Sequence, residues 1–154
     1  MCTIIYGKGH QASVVMNDGC AFCRILSGNA DATFVYRDDR VSVFADIFPI
    51  EAGHLLVVPN KHIENIYGLA EDLAGHLFSV TTRVAATVKQ VMKPDGVTLL
   101  QANERAGGQD VFHFHIHIVP RRAGRPVLRI GVDRQRPSRG ELDRLFEPLR
   151  LALS

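Results

Sequence analysis

The sequence predicts an α+β domain: an antiparallel five-stranded sheet carrying one long helix and one or two shorter ones. Three observations predict it. The apolar positions fall in the order strand–strand–strand, long helix, strand–strand, helix. The connections between strand patterns are short, which suits antiparallel neighbours better than parallel crossovers. The run from Val111 to Arg122 alternates histidine with Phe, Ile and Val at period 2, the pattern of a strand anchored in the core by one face.

Taken in order, residues 1–18 show no sustained period and read as an extension ahead of a domain spanning 19–154. Cys20 to Leu26 reads as a short helix ended by Ser27-Gly28. Thr33–Tyr36 and Val41–Ala45 read as short strands joined by the polar hairpin Arg37-Asp38-Asp39-Arg40. Asp46-Ile47-Phe48-Pro49 leaves as a loop. His54–Pro59 is a third strand whose near-continuous apolar run predicts burial on both faces. From Glu71 to Met92, Leu73, Leu77, Val80, Val84, Val88 and Val91 recur at spacings of three and four, an amphipathic helix stopped by Pro94-Asp95-Gly96. Val97–Ala102 is a fourth strand, and Glu104–Asp110 a polar loop containing Gly107 and Gly108. The histidine-rich strand follows from Val111 and ends at Pro120, which cannot donate a ladder hydrogen bond. Arg121 to Arg139 reads as a solvated basic loop. Ser138-x-x-Glu141 is a capping box opening a last helix with Leu142, Leu145, Phe146 and Leu149 on one face. Pro148 shortens or kinks that helix.

A length of 154 residues fits one domain with a proper core, and 22% charged with 46% hydrophobic residues is ordinary for a globular protein. A net charge of +2 gives no argument for nucleic acid or a membrane surface. No apolar run approaches the ~18–20 residues of a membrane span, and the start lacks a basic segment followed by an apolar one. A cytoplasmic location is therefore expected.

Three of the seven histidines, His113, His115 and His117, stand at every second position. On a strand they form one row, ~6.5–7 Å between neighbours, with Phe112, Phe114, Ile116 and Ile118 on the opposite face. Imidazoles in such a row serve metal binding or nucleophilic and acid–base chemistry near neutral pH. Of the three cysteines, Cys20 and Cys23 lie on one side of a helical turn, so both sulfurs can reach one ion. Two thiolates on tetrahedral zinc commonly take two imidazoles. His62, just past the third strand, and His113 are candidates that would pin the short helix to two strands. The alternative is that the pair are two small buried apolar side chains.

His113-Phe114-His115-Ile116-His117-Ile118-Val119 resembles the signature of the histidine triad (HIT) superfamily. Cys20-Ala-Phe-Cys-Arg-Ile, Phe44-Ala-Asp-Ile, Gly53-His54 through His62, and Asn103 through Gln109 resemble further family segments in the expected order. The likeness is strongest to the Hint-like branch and its bacterial relatives. It implies a HIT-like fold and a nucleotide-binding homodimer that cleaves purine nucleoside monophosphate conjugates, phosphoramidates or similar, at the α-phosphate. A nucleotidyl-histidine is the implied intermediate. Cleavage of dinucleoside polyphosphates, or a nucleotide-binding module with vestigial catalysis, are the alternatives.

Carried onto this sequence, the resemblance implies His115 as nucleophile and His117 as donor to the phosphate or leaving group. It implies Asn103, Gly108 and Gln109 at the phosphate, Asp46 on the ribose hydroxyls, and Phe22, Ile25, Phe44 and Ile47 around the base of an AMP- or GMP-type ligand. His54 is implied beside the triad. Structural zinc on Cys20, Cys23, His62 and His113 is implied by zinc-containing relatives. One position departs. Asp110 stands where Hint-like enzymes usually have Ser, and an ionised carboxylate cannot donate to phosphate and repels it. Either Asp110 orients His117 or the leaving-group preference differs.

Overall fold

The computed structural model describes residues 19–125. The expected extension over 1–18 and the C-terminal helix from Ser138 lie outside the described residues. The elements are α1 (Ala21–Leu26), β1 (Phe34–Arg37), β2 (Val41–Ala45), β3 (Leu55–Pro59), α2 (Glu71–Met92), β4 (Gly96–Leu100) and β5 (Ile116–Arg121). Single 3-10 turns sit at Ile66–Gly68 and Arg105–Gly107. The five strands form one sheet in the order β1-β2-β3-β5-β4, antiparallel throughout. The predicted α+β architecture is the observed one.

Helix α2 has the bounds its apolar stripe predicts. Glu71 and Asp72 occupy its first turn, where the helix dipole favours negative charge. Lys93 turns left-handed (φ 49°) and Pro94 cannot continue the ladder. Leu77, Val80 and Val88 are buried against Val41, Val43, Leu55, Val57, Ile116 and Ile118, with Leu73 and Val84 packed at the margin. Val91, read as part of this stripe, is instead 71% exposed and lines an open cavity with Val35, Tyr36 and Leu55. Burying one such aliphatic side chain stabilises by about 1.5–3 kcal/mol.

Strand β3 is buried on both faces, as its sequence predicts. Leu55 and Val57 face α2, whereas Leu56 and Val58 join Cys20, Phe22, Cys23, Leu26 and Phe44 beneath α1. The register aligns Phe34, Phe44, Leu56 and His117 in one row across β1, β2, β3 and β5. Residues opposite one another point to the same face. His117 therefore stands in an otherwise apolar row that Leu100 of β4 continues.

The histidine strand differs from its expected limits. It starts at Ile116, so His113 and His115 lie in the irregular segment that enters it. Phe114 is buried in the α2-side core, but Phe112 is only half-buried, with the Arg105 guanidinium 5.4 Å above its ring. Pro120 does not end the strand; it pairs with Val97 of β4. The pairing with β3 reaches no further than Ile118, so from there β5 has β4 alone as neighbour among the described residues, and such an edge-like stretch tolerates a residue with no N–H. The fourth strand stops at Leu100, because Gln101 and Asn103 interlock their amides (2.7 and 2.9 Å) and leave the sheet.

Candidate functional site

Helix α1 packs its Cys20 and Cys23 end against the segment entering β5. Cys20 Sγ lies 3.5 Å from His113 Nδ1, and Cys23 Sγ lies 3.3 Å from His62 Nδ1 and 3.7 Å from His113 Nδ1. All four ligand atoms fall within 4.8 Å of one another. Tetrahedral zinc holding sulfur at ~2.3 Å and nitrogen at ~2.0–2.1 Å sets sulfur and nitrogen roughly 3.5 Å apart, so these spacings match the edges of such a site. The tautomer fits as well. His113 Nε2 donates to the Pro59 carbonyl at 2.9 Å, which leaves the Nδ1 lone pair aimed at the sulfurs. Burial holds the His113 imidazole down to about 4, against the Pro59 carbonyl that favours its proton and with the nearby His62 and His115. It is a neutral donor at pH 7.

On the other side of the same segment lies a cavity of about 540 Å³, a size suited to a small ligand. Phe22, Ile25, Phe44, Asp46, Ile47, Asp110, His115 and His117 are among its lining residues. His115 is 2% exposed, and its Nδ1 donates to the His113 carbonyl at 2.7 Å. A carbonyl only accepts, so the proton sits on Nδ1 and Nε2 keeps its lone pair. Phe22 packs edge-on against this ring, 5.3 Å between centroids, and against Phe44 at 5.4 Å. The ring is thus fixed in angle and in tautomer, with an unprotonated nitrogen at the cavity.

His117 is fixed differently. His54 Nε2 lies 2.9 Å from His117 Nδ1, and the Ile50 N–H donates to His54 Nδ1 at 3.2 Å. That donor leaves the His54 proton on Nε2, from where it is given to His117 Nδ1. The remaining proton of His117 then sits on Nε2. Asp46 Oδ2 stands 3.4 Å from the same His54 Nδ1, ready to pair with that ring when it is charged, while its Oδ1 accepts from the Phe48 N–H at 2.8 Å. Burial, then the neighbouring His115 and His54, push His117 down to about 4, with Asp46 and Asp110 opposing. Burial also lowers His54, against Asp46.

The structure brings together most of the residues singled out in the sequence, and sets three apart. Asn103, Gly108 and Gln109 are not among the lining residues. Gln109 is 3% exposed; its Oε1 accepts from the Glu104 N–H and its Nε2 donates to the carbonyls of Glu64 and Val111. Asn103 Oδ1 accepts from the Ile66 N–H, and its Nδ2 donates to Gln101. The Gly108 N–H is bonded to the Arg105 carbonyl. These hydrogen bonds hold the loop before His113. Ile47 is 75% exposed at the cavity mouth. Asp110 Oδ1 lies 3.9 Å from His115 Nε2, so its carboxylate faces the middle histidine and not His117 alone. Arg24, Asp31 and Phe48 also line the cavity and were not singled out from sequence. The loop pairing of exposed Ile47 and Phe48 was the available signal for the last of them.

An α+β sheet whose β5 entry carries a Cys2His2 cluster on one side and a histidine-lined cavity on the other defines a class of small-ligand proteins built around one histidine run. The family model of the HIT domain matches residues 27–124. The chain belongs to the HIT domain family. It is 38% identical over 104 residues to protein hit of Bacillus subtilis, covering 68% of this chain and 72% of that one. It is 29% identical over 116 residues to an adenylylsulfatase of Arabidopsis thaliana, covering 75% of this chain and 59% of that one. Its structure resembles a crystal structure from Streptococcus mutans with TM-score 0.83 at 34% identity, covering 95% and 92% of the two chains. A zinc-bound histidine triad family protein from Mycobacterium smegmatis aligns with TM-score 0.67 at 31% identity, covering 88% and 96%.

Proposed function

We propose that this chain is a nucleotidyl hydrolase that takes a purine nucleoside monophosphate conjugate and cleaves it at the α-phosphorus. The observation that carries the reading is the His115 tautomer: Nδ1–H is tied to the His113 carbonyl, so Nε2 presents a lone pair to the cavity. In the first step His115 Nε2 forms a bond to phosphorus and the bond to the leaving group breaks. The anionic conjugate brings one further proton from solvent onto the His54–His117 pair, faced by Asp46 Oδ2 at 3.4 Å from His54 Nδ1. The His117 Nε2 proton goes to the leaving group as the His54 Nε2 proton moves to His117 Nδ1, so both imidazoles end neutral and His117 Nε2 is unprotonated. In the second step that nitrogen takes a proton from water, the oxygen attacks phosphorus, and the phosphorus–nitrogen bond breaks to release the nucleoside monophosphate and restore both imidazoles.

Asp46 is the acceptor for the ribose hydroxyls. Phe22, Ile25, Phe44 and Ile47 form the apolar surround of the base. Asn103, Gly108 and Gln109 hold the loop that fixes Asp110 and His115. Cys20, Cys23, His62 and His113 bind zinc, which when present cross-links α1 to the entry of β5 and supplies no step of the reaction. A homodimer is supported by the outer edge of β4, which pairs with β5 alone among the described residues and where Leu99 is 45% exposed. No helix among the described residues is long and apolar enough to cross a membrane.

The test is hydrolysis of adenosine 5′-phosphoramidate by the wild-type chain and by His115→Ala. Turnover by wild type alone supports the reading, and equal turnover by both overturns it. Tight AMP binding without turnover of any nucleotide conjugate would instead indicate a binding module.

A further inference from the structure

We infer that Asp110 filters leaving groups by charge, so that the site takes nucleotide conjugates of neutral or cationic amines and works against those whose leaving group is an anion. This rests on the hydrolase reading above and assigns its substrate class.

The cavity has an unusual charge balance for a site that meets a phosphate. Its lining carries the carboxylates of Asp31, Asp46 and Asp110 and a single guanidinium, Arg24. The imidazoles add no positive charge at neutral pH at His117, which burial and neighbouring rings hold down to about 4. The amide of Gln109 is taken up by the Glu104 N–H and by the carbonyls of Glu64 and Val111, so it does not offset this balance. An amine leaving group adds no negative charge to such a cavity, whereas sulfate or a polyphosphate adds one or more.

Asp110 is the carboxylate placed to act on the reacting atoms. Its Oδ1 lies 3.9 Å from His115 Nε2, and its side chain lines the cavity at 84% exposure. It does not swing freely, because Oδ1 also accepts the Val111 N–H at 2.8 Å. Its field reaches the second imidazole too, where it works to retain a proton on His117. A unit charge this near to a developing charge, at a partly exposed position, acts with an energy between the aqueous and buried limits. That amounts to about tenfold in rate.

The chemistry balances without further reagents. With an amine conjugate the phosphorus–nitrogen bond breaks as His115 Nε2 bonds phosphorus, and the amine nitrogen takes the His117 proton. Beyond His117, Asp110 then faces a species that becomes an ammonium. With a sulfate conjugate the phosphorus–oxygen bond breaks and sulfate leaves past a like charge. This preference is opposite to that in the name of the Arabidopsis relative, an adenylylsulfatase.

The experiment measures kcat/KM for three adenosine 5′-conjugates: a phosphoramidate of a diamine, adenosine 5′-phosphosulfate and diadenosine tetraphosphate. Each is run on wild type, Asp110→Asn and Asp110→Glu. Asn keeps an acceptor for the Val111 N–H and removes the charge; Glu keeps the charge. We expect the ratio of diamine conjugate to phosphosulfate to fall by about tenfold in Asp110→Asn, to stay near wild type in Asp110→Glu, and to shrink in wild type as salt screens an exposed carboxylate. A ratio unchanged in Asp110→Asn, with both substrates turned over, overturns the filter and leaves the hydrolase reading standing. No turnover of any conjugate by wild type overturns the hydrolase reading itself, and the filter with it.

Discussion

His54 Nε2 sits 2.9 Å from His117 Nδ1, and the Ile50 N–H closes the other nitrogen of His54 at 3.2 Å. A backbone donor thereby sets, through one intervening ring, which nitrogen of His117 carries the proton. In the proposed reaction that dependence makes His54 a positioning residue for proton delivery, although it is 2% exposed and is not among the cavity's lining residues.

His54→Phe removes the donor and frees His117 to take either tautomer. The expected loss in kcat is about 10- to 100-fold on a conjugate with a basic leaving group, at the low end of what general acid catalysis supplies. The loss shrinks toward unity when the leaving group is a weakly basic phenolate that needs no proton. A steady-state comparison of the two substrates reads the split, with Tm as the check on folding. An equal loss on both substrates would show that His54 acts only through packing.

The Cys2His2 cluster predicts about one equivalent of zinc per chain after gentle purification, measured by elemental analysis. Cys23→Ser is expected to lower Tm by roughly 5–10 °C, because metal binding and folding share one free energy. Turnover well below Tm should change by less than about tenfold, since the metal takes no step in the reaction. A large loss of kcat with Tm unchanged would contradict a structural role.

His117 and Asp38 are two of the groups that give the stability an acid dependence of known sign. His117 is held near 4 in the folded chain against 6.5 ordinarily, so between those values the unfolded chain binds the extra proton and stability falls as pH falls. His117→Gln should flatten Tm against pH across that window. Asp38 is the second group. Burial pushes its carboxyl up, but hydrogen bonds from Tyr36, the Arg40 and Val41 N–H groups and His76 outweigh this and hold it at about 2. Its contribution is complete above 3.8 and lost as pH falls toward 2. Asp38→Asn should therefore cost more Tm at pH 5 than at pH 2, read by thermal melts.

Gly53→Ala should destabilise the turn that delivers His54. Gly53 has φ +90°, and a Cβ there would crowd Met92 Sδ at 2.6 Å and Pro120 Cγ at 3.2 Å. The methionine can move, but the left-handed backbone costs an L-residue about 1–2 kcal/mol. Melting should show Tm lower by roughly 2–8 °C. No change in Tm would mean that the turn relaxes into another conformation.

What the sequence made legible was what periodicity and residue chemistry encode directly. The α2 stripe set both ends of a 22-residue helix, because Pro94 and the left-handed Lys93 close it. The doubly buried β3 followed from its unbroken apolar run. Cys20, Cys23, His62 and His113 converge as their donor types suggest. The strand limits around the histidines were less legible. Alternation continues through His113 and His115, but strand pairing begins only at Ile116, since the Phe114 N–H is drawn to the Ile63 carbonyl at 2.6 Å. The direction of an amide was not legible either. Asn103 and Gln109 have the chemistry to hold a phosphate, yet in the fold they tie their loop to the backbone of Glu64 and Ile66. Asp110 could be singled out as an odd residue type, but only the fold shows that it faces His115.

The central claim is that His115 Nε2 carries the nucleotide during turnover. Rapid acid-free quenching of wild type with an adenosine 5′-phosphoramidate, followed by intact-mass and peptide-level mass spectrometry, tests it most directly. The account predicts one adenylyl group per chain, located on His115 and absent from His115→Ala. An adduct on another residue, or full turnover by His115→Ala, would contradict it.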